Sequence, residues 1–520
     1  MKRFKVDGLC MPSKHYMADI SGKIAQIKKL VDSGYYFTIN RARQYGKTTI
    51  LAALERALKG EYTVASISFQ GLGDEFFETP ANLCGVFMKH IANYLKLTYD
   101  DREYAGKWID AGVINFDLLS DHITEMCCDR KFVLMIDEVD QASNNRVFLS
   151  FLGMLREKFL LRERDIACTF HSVILAGVYN IKNIKLKLIN EGMYTLSSTE
   201  SKIYNSPWNI AVDFDVDMSF SPAEIAAMLN EYESEHNTGM DITEIAREIY
   251  DYTSGYPFMV SRICQHIDEK LNQKWNQDGI EEAVQMLLTE QNTLFDDLFK
   301  NIRNNENLRE LLCSILFAGN DLPFNIDDEI ISMGYMYGFL KNVGGKTRVA
   351  NRIFEMRIYN YFILQEIKAA DYSVLSAKAT VIQGGRLDMA LCLEKFQQHY
   401  AEITSGKDLK FLERHGTLLF LSYLKPLING EGDYYVEPQI SDFRMDIVVQ
   451  FRSQRFILEV KLWHGGKRHD EAYGQLYGYL AKKKMSEGYL LTFNFNKGEN
   501  KERKAEWVEY NGKKIFDVIV

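Results

Sequence analysis

The chain has 520 residues, roughly three to four times the length of an average domain, so it carries several cores rather than one. Apolar residues make up 46% and charged residues 26%, which excludes a mainly disordered, collagen-like or coiled-coil protein. With 62 basic against 71 acidic residues the net charge is −9, so the whole surface is not a polycation and any nucleic-acid surface must be local. The 8 cysteines include no C-x-x-C pair, and Cys127 and Cys128 are adjacent, which is poor metal-ligand spacing. The basic N-terminus MKRFKVDGLCMPSKHYM leads into no apolar core, and no stretch reaches the ~18 consecutive apolar residues that span a bilayer. A cytoplasmic protein with reduced thiols and no membrane partner is expected.

Up to about residue 200, short apolar runs at 35–40, 63–69, 132–137 and 172–178 alternate with longer amphipathic stretches, the pattern of an α/β fold with a mostly parallel sheet. Because these runs are continuous rather than alternating, they predict strands buried on both faces with helices above and below. WNIAVDF at 208–214 predicts a fifth strand. Residues 221–275 read as helical, with Ser221 as N-cap and Pro222 at the first helical position, and suit a helical lid. Residues 280–365 stay helical except for the Gly-Gly hairpin in FLKNVGGKTRVANRIF, whose arms suit the wing of a winged helix. Beyond about 370 a second α/β pattern follows: a helix at 391–425, strands YYVEPQI, RMDIVVQF and RFILEVKLW, a helix through AYGQLYGYLAKKK, and strand GYLLTFNF. The α/β multidomain chain divides at 12–218, 219–290, 291–370 and 380–520.

Directly after the first strand, RARQYGKTTILAAL places Gly46, Lys47 and Thr48 at the start of an apolar helix. A loop feeding a helix N-terminus aims backbone N–H groups and the positive dipole end at phosphate oxygens. The nucleotide-binding candidates are Arg41, Arg43, Gln44, Tyr45, Gly46, Lys47, Thr48 and Thr49. Lys47 is expected to reach the β and γ phosphates of ATP, and Thr48 to place its hydroxyl on Mg²⁺. In the G-x-x-x-x-G-K-[ST] pattern the first glycine falls on Arg41, so either the loop begins with a different turn or a neighbouring guanidinium replaces some backbone donors. Further on, FVLMIDEVD ends an apolar strand on Asp137 and Glu138. Asp137 is the candidate Mg²⁺ holder and Glu138 the candidate base for the attacking water.

This succession resembles the additional-strand ATPases, and YYFTINRARQYGKTT resembles the AAA-ATPase-like family within them, whose loops carry arginines where the first glycine is expected. SPWNIAVDF and TSGYPFMVSRIC resemble the post-sensor strand and lid segment of the related signal-transduction ATPases; together the resemblance covers residues 12–365. It implies a γ-phosphate sensor near Tyr179 or Asn180, Pro257 directed at the adenine and Arg262 at phosphate. A turn proline and a solvated arginine explain the last two residues equally. The resemblance also admits a homo-oligomer.

The second constellation is Asp446 on RMDIVVQF with Glu459 and Lys461 on FILEVKLW. Period-2 alternation puts Glu459 and Lys461 on one face, and an antiparallel hairpin brings Asp446 beside them. Two carboxylates and a lysine suit a metal site for Mg²⁺ and an activated water. The spacing D-x(12)-E-x-K resembles the PD-(D/E)XK nuclease superfamily over residues 385–497, a restriction-endonuclease-like fold. That resemblance assigns Asp446 and Glu459 to the metal and Lys461 to catalysis, with Glu413, Glu437 and Gln475 as accessory positions. Six basic against two acidic residues between Lys461 and Lys484, interleaved with tyrosines, suit a nucleic-acid partner, DNA before RNA. The reading is therefore an ATPase coupled to a Mg²⁺-dependent nuclease, fitting bacterial genome defence or DNA processing. The alternative is a signalling ATPase whose C-terminal fold only binds nucleic acid or protein.

Overall fold

The computed structural model describes the chain except residues 1, 111, 143–144, 178–207, 317–321, 370–377, 405–408, 429–430, 439–444, 463–465 and 495–503. Two compact units emerge: Met1–Leu294 with Met333–Gly338, and Phe295–Ser332 with Phe339–Val520. Among the described residues no helix is long and apolar enough to cross a membrane.

In the first unit, α1 (Ser21–Asp32), β1 (Phe37–Asn40), α2 (Lys47–Leu58), β2 (Thr63–Ser68), α3 (Pro80–Tyr99), α4 (Phe116–Cys127), β3 (Phe132–Asp137), α5 (Arg146–Arg162) and β4 (Ser172–Gly177) form an α/β layer structure. The strands are parallel in the order β1-β4-β3-β2. Every residue of β3 and β4 is buried, as continuous apolar runs require. Alternate strand residues serve two cores. Phe37, Ile39, Val133, Met135 and Ile174 pack against α1 and α2, whereas Leu134, Ile136, Val173 and Leu175 pack against α3, α4 and α5. The expected fifth strand shrinks to a single bridge, Val212 beside Phe37, with the Val212 N–H on the Tyr36 carbonyl at 2.9 Å. The chain turns at 208–210, because buried Trp208 anchors its indole N–H on Thr38 Oγ1 at 3.1 Å and cannot extend along β1.

Four helices follow: α6 (Pro222–His236), α7 (Ile242–Thr253), α8 (Pro257–Lys270) and α9 (Gln277–Thr289). Ser221 caps α6 in a reciprocal capping box with Glu224, Pro222 taking the first helical position. Phe4 (tilted) and Tyr16 (edge-on) of the N-terminal segment pack their rings against Tyr232 of α6 and tie that segment to the helices.

In the second unit, α10 (Glu306–Leu316) and α11 (Arg352–Ala369) flank a hairpin of β5 (Leu340–Val343) and β6 (Lys346–Val349). Its two-residue turn needs positive φ twice, which Gly344 (57°) and Gly345 (81°) supply. Over 391–425, where one helix is expected, the described residues form α12 (Met389–Thr404) and α13 (Leu409–Ile428). Then come β7 (Gly432–Pro438), β8 (Met445–Phe451), β9 (Gln454–Leu462), α14 (Gly466–Lys482), β10 (Glu487–Phe493), β11 (Lys504–Tyr510) and β12 (Lys513–Ile519). They build a six-stranded mixed sheet in the order β11-β12-β10-β9-β8-β7. Leu476 and Leu480 of α14 close its core over Ile457, Leu490 and Ile515.

Candidate functional site

The loop from β1 to α2 ends on Gly46, whose φ of 79° is left-handed. Space is not the constraint, since a Cβ there would meet nothing within 4 Å; the backbone conformation is. Lys47 is 8% exposed, and its ammonium donates back to the carbonyls of Arg41 (2.9 Å) and Ala42 (3.0 Å). Burial pushes its pKa down against the opposing pull of Asp140, Glu138 and Asp137.

Thr48 Oγ1 donates to Asp137 Oδ2 at 2.8 Å, although β4 separates the two strands that deliver these residues. A hydroxyl and a carboxylate this close are hard oxygen donors of the kind Mg²⁺ takes. Asp137 Oδ1 accepts the Glu138 N–H at 2.9 Å. Glu138 itself sits at φ 54°, a left-handed conformation that costs a side-chain-bearing residue about 1–3 kcal/mol and gathers at functional sites. Burial and then Asp137 raise its pKa, while Lys47 and Arg43 lower it less.

The Arg41 guanidinium donates to the carbonyls of Asn40 (2.8 Å) and Val216 (2.9 Å) and lies 5.3 Å from the Phe214 ring. It braces the start of the loop on backbone carbonyls. Gln44 holds Thr293 Oγ1 at 3.3 Å, Thr49 Oγ1 accepts the Cys10 N–H at 3.2 Å, and the exposed Arg43 offers its carbonyl to the Tyr256 hydroxyl at 2.6 Å. Tyr45 meets the Tyr256 ring edge-on at 4.6 Å.

Tyr256 follows Gly255, whose φ is 72° and whose missing side chain lets the backbone of Phe220 approach. Pro257 is buried at the first position of α8. Arg262 is neither solvated nor directed at the loop: its Nε donates to Glu290 Oε2 at 2.9 Å and a second nitrogen bonds Oε1. The pair ties α8 to the end of α9, because a planar guanidinium fits a carboxylate at two points. Tyr179 and Asn180 lie outside the described residues.

Sequence reasoning missed three contributors. A Cβ on Gly177, which closes β4, would fall 2.8 Å from Asp140 Oδ1 and 2.9 Å from Val139 Cγ2; glycine therefore lets Asp140 reach the end of β4. Tyr256, rather than its neighbour Pro257, meets the loop through the Arg43 carbonyl. Gly338, at φ 73°, brings its backbone against Ala42, whose Cβ would lie 2.8 Å from an added one. A glycine ending an apolar strand is a readable signal; the other two contacts join distant segments.

In the second unit, Asp446 pairs in register with Glu459 of β9 and with Glu437 of β7. Three acidic positions thus share one rung, and Lys461 follows two residues along the same face. Glu459 is 2% exposed, with Oε1 3.2 Å from the Lys461 ammonium, which also donates to Gln475 Oε1 at 2.7 Å. Carboxylate positions on one rung suit a hard divalent cation. The side chains of Glu413, Glu437 and Asp446 lie outside the described residues, and among the described residues no cluster of three metal-binding side chains forms.

The profile of a family described as an AAA-like domain matches residues 8–356. No curated protein matches the chain significantly. Among solved structures, the chain is similar to a Walker-type ATPase of Pyrococcus abyssi, at 11% identity over 68% of this chain and 99% of that one, with a TM-score of 0.46. It is also similar to the ORC2 protein of Aeropyrum pernix in its ADPNP-ADP complexes, at 13% identity over 68% and 94%, with a TM-score of 0.35.

Proposed function

This chain belongs to the AAA-like domain family through residues 8–356, and we propose that it binds ATP with Mg²⁺ at the loop between β1 and α2 and hydrolyses the nucleotide. The single observation that carries this reading is the 2.8 Å contact of Thr48 with Asp137, which brings a loop hydroxyl to the carboxylate of a separate strand. Mg²⁺ would be held there by Thr48 and Asp137 and would neutralise charge on the phosphates. Lys47 turns from the Arg41 and Ala42 carbonyls to the β and γ phosphates. Glu138, whose pKa burial and Asp137 raise, accepts the proton of the attacking water. Arg43 and Tyr45 lie in the same loop.

We further propose that the C-terminal sheet is a restriction-endonuclease-like module that hydrolyses nucleic-acid phosphodiesters, DNA first. Glu459 and the positions of Asp446 and Glu437 would hold Mg²⁺, and Lys461, oriented by Gln475, steadies the attacking oxygen or the charge that develops on phosphate. The near-complete burial of Glu459 against Lys461 favours a second reading, a signalling ATPase whose C-terminal module binds nucleic acid or protein without cutting. The full chain, incubated with plasmid and single-stranded substrates under Mg²⁺ or Mn²⁺ with and without ATP, separates the two. Cleavage lost in Asp446→Ala but ATP binding lost only in Lys47→Ala is the expected pattern. Absence of cleavage from the parent under every condition leaves the second reading standing, and undiminished ATP binding in Lys47→Ala refutes the loop assignment.

A further inference from the structure

Beside the charged groups of the C-terminal sheet lies a hydroxyl that neither the fold nor the proposed chemistry uses. Thr492 of β10 is 1% exposed and pairs in register with Lys461 of β9 on one side and Ile519 of β12 on the other. Register partners on adjacent strands share a sheet face, so Thr492 lies on the face of Glu459 and Lys461. Among the described residues its Oγ1 has no hydrogen-bond partner. A buried hydroxyl without a partner is unfavourable, and valine would fill the same volume without that cost. The position therefore points to a state in which the hydroxyl is used.

The Lys461 ammonium has three N–H donors; it donates to Gln475 Oε1 at 2.7 Å and forms an ion pair with Glu459 Oε1 at 3.2 Å. A divalent cation on the Glu459 carboxylate withdraws the ion-pair partner and repels the ammonium. The adjacent strand offers Thr492 Oγ1 at the same register. We propose that Thr492 is a positioning residue of this site: its hydroxyl accepts from Lys461 when Glu459 turns to a divalent cation, keeping the ammonium tethered beside Gln475. The inference rests on the metal-dependent reading of the C-terminal module.

The test uses the full chain as parent, Thr492→Val, Thr492→Ser and Asp446→Ala, titrated calorimetrically with Mn²⁺ in the absence of nucleotide and melted without metal. Thr492→Val should melt at or above the parent temperature. Its Mn²⁺ affinity should fall about tenfold, the equivalent of one hydrogen bond to a charged group, while Thr492→Ser stays within about threefold of the parent. If Thr492→Val binds Mn²⁺ like the parent while Asp446→Ala loses binding, the role of Thr492 is wrong and the metal site survives. Serine as damaging as valine, or a metal-free melting loss of several degrees in Thr492→Val, also overturns it, since the hydroxyl would then serve packing or the resting fold. Mn²⁺ binding that is absent, or unaltered by Asp446→Ala, overturns the inference together with the reading beneath it.

Discussion

Gly255→Ala tests how tightly the helices after the sheet hold the phosphate-facing loop. At φ 72° an alanine pays about 1–2 kcal/mol for the left-handed backbone. Its methyl would fall 2.8 Å from both the nitrogen and the carbonyl carbon of Phe220 and closer still to the oxygen. Those are backbone atoms that cannot rotate aside, so the overpacking adds about 1–3 kcal/mol. Relief by backbone shift breaks the Phe220 N–H to Gly255 carbonyl bond of 2.8 Å, another ~1 kcal/mol. The sum, about 3–6 kcal/mol, lowers the melting temperature of a unit this large by about 10 °C. The shift also carries Tyr256 off the Arg43 carbonyl, where it donates at 2.6 Å. Losing that bond weakens ATP binding about fivefold. Tyr256→Phe isolates the bond from the backbone, with the affinity loss but little change in melting. Calorimetric melting and fluorescent-nucleotide titration of both variants are the assays. If Gly255→Ala melts within about 2 °C of the parent, the backbone at 220 yields and the reasoning fails.

Glu138→Gln should keep ATP affinity and lose hydrolysis by about 100-fold or more, since the amide keeps shape but takes no proton. Because burial and Asp137 raise the Glu138 pKa, parent turnover should fall as pH drops through a value above the ordinary glutamate range; equal turnover in both proteins removes Glu138 as the base. A second pH effect belongs to His266 of α8, 2% exposed, whose pKa burial, with Lys270 and Arg262 adding to it, pushes down to about 4. Glu290 lies 3.5 Å away, but its carboxylate is already committed to Arg262. The folded-state pKa is below the unfolded value, so the unfolded chain protonates first as pH falls. Stability then declines from near pH 6.5 and levels off near 4, by at most about 3 kcal/mol. His266→Phe should flatten urea-unfolding stability over that window, and an unchanged slope would show that His266 is not the group titrating.

The chain itself reveals what depends on local spacing. Continuous apolar runs marked β3 and β4 because strands buried on both faces have no polar side to show, and Gly46-Lys47-Thr48 announced the loop because a left-handed cap before a helix calls for glycine. The Gly344-Gly345 turn and the Ser221 cap were readable for the same local reason. Local pattern misled at 208–214, where an apolar segment reads as a strand until the burial of Trp208 against Thr38 turns it. It also left the start of the loop open, since whether Arg41 faces phosphate or carbonyl depends on where residues 214–216 pass. The insertion of β4 between β1 and β3, the meeting of Thr48 with Asp137, and the bond from Tyr256 to Arg43 each join segments dozens to hundreds of residues apart. In the C-terminal sheet, spacing singled out Asp446, Glu459 and Lys461, but only register places Glu437 on their rung and Thr492 beside Lys461. Sequence spacing determines which residues one helix or strand presents together; which strands become neighbours is decided by packing the whole core, and the sites form where those neighbours end.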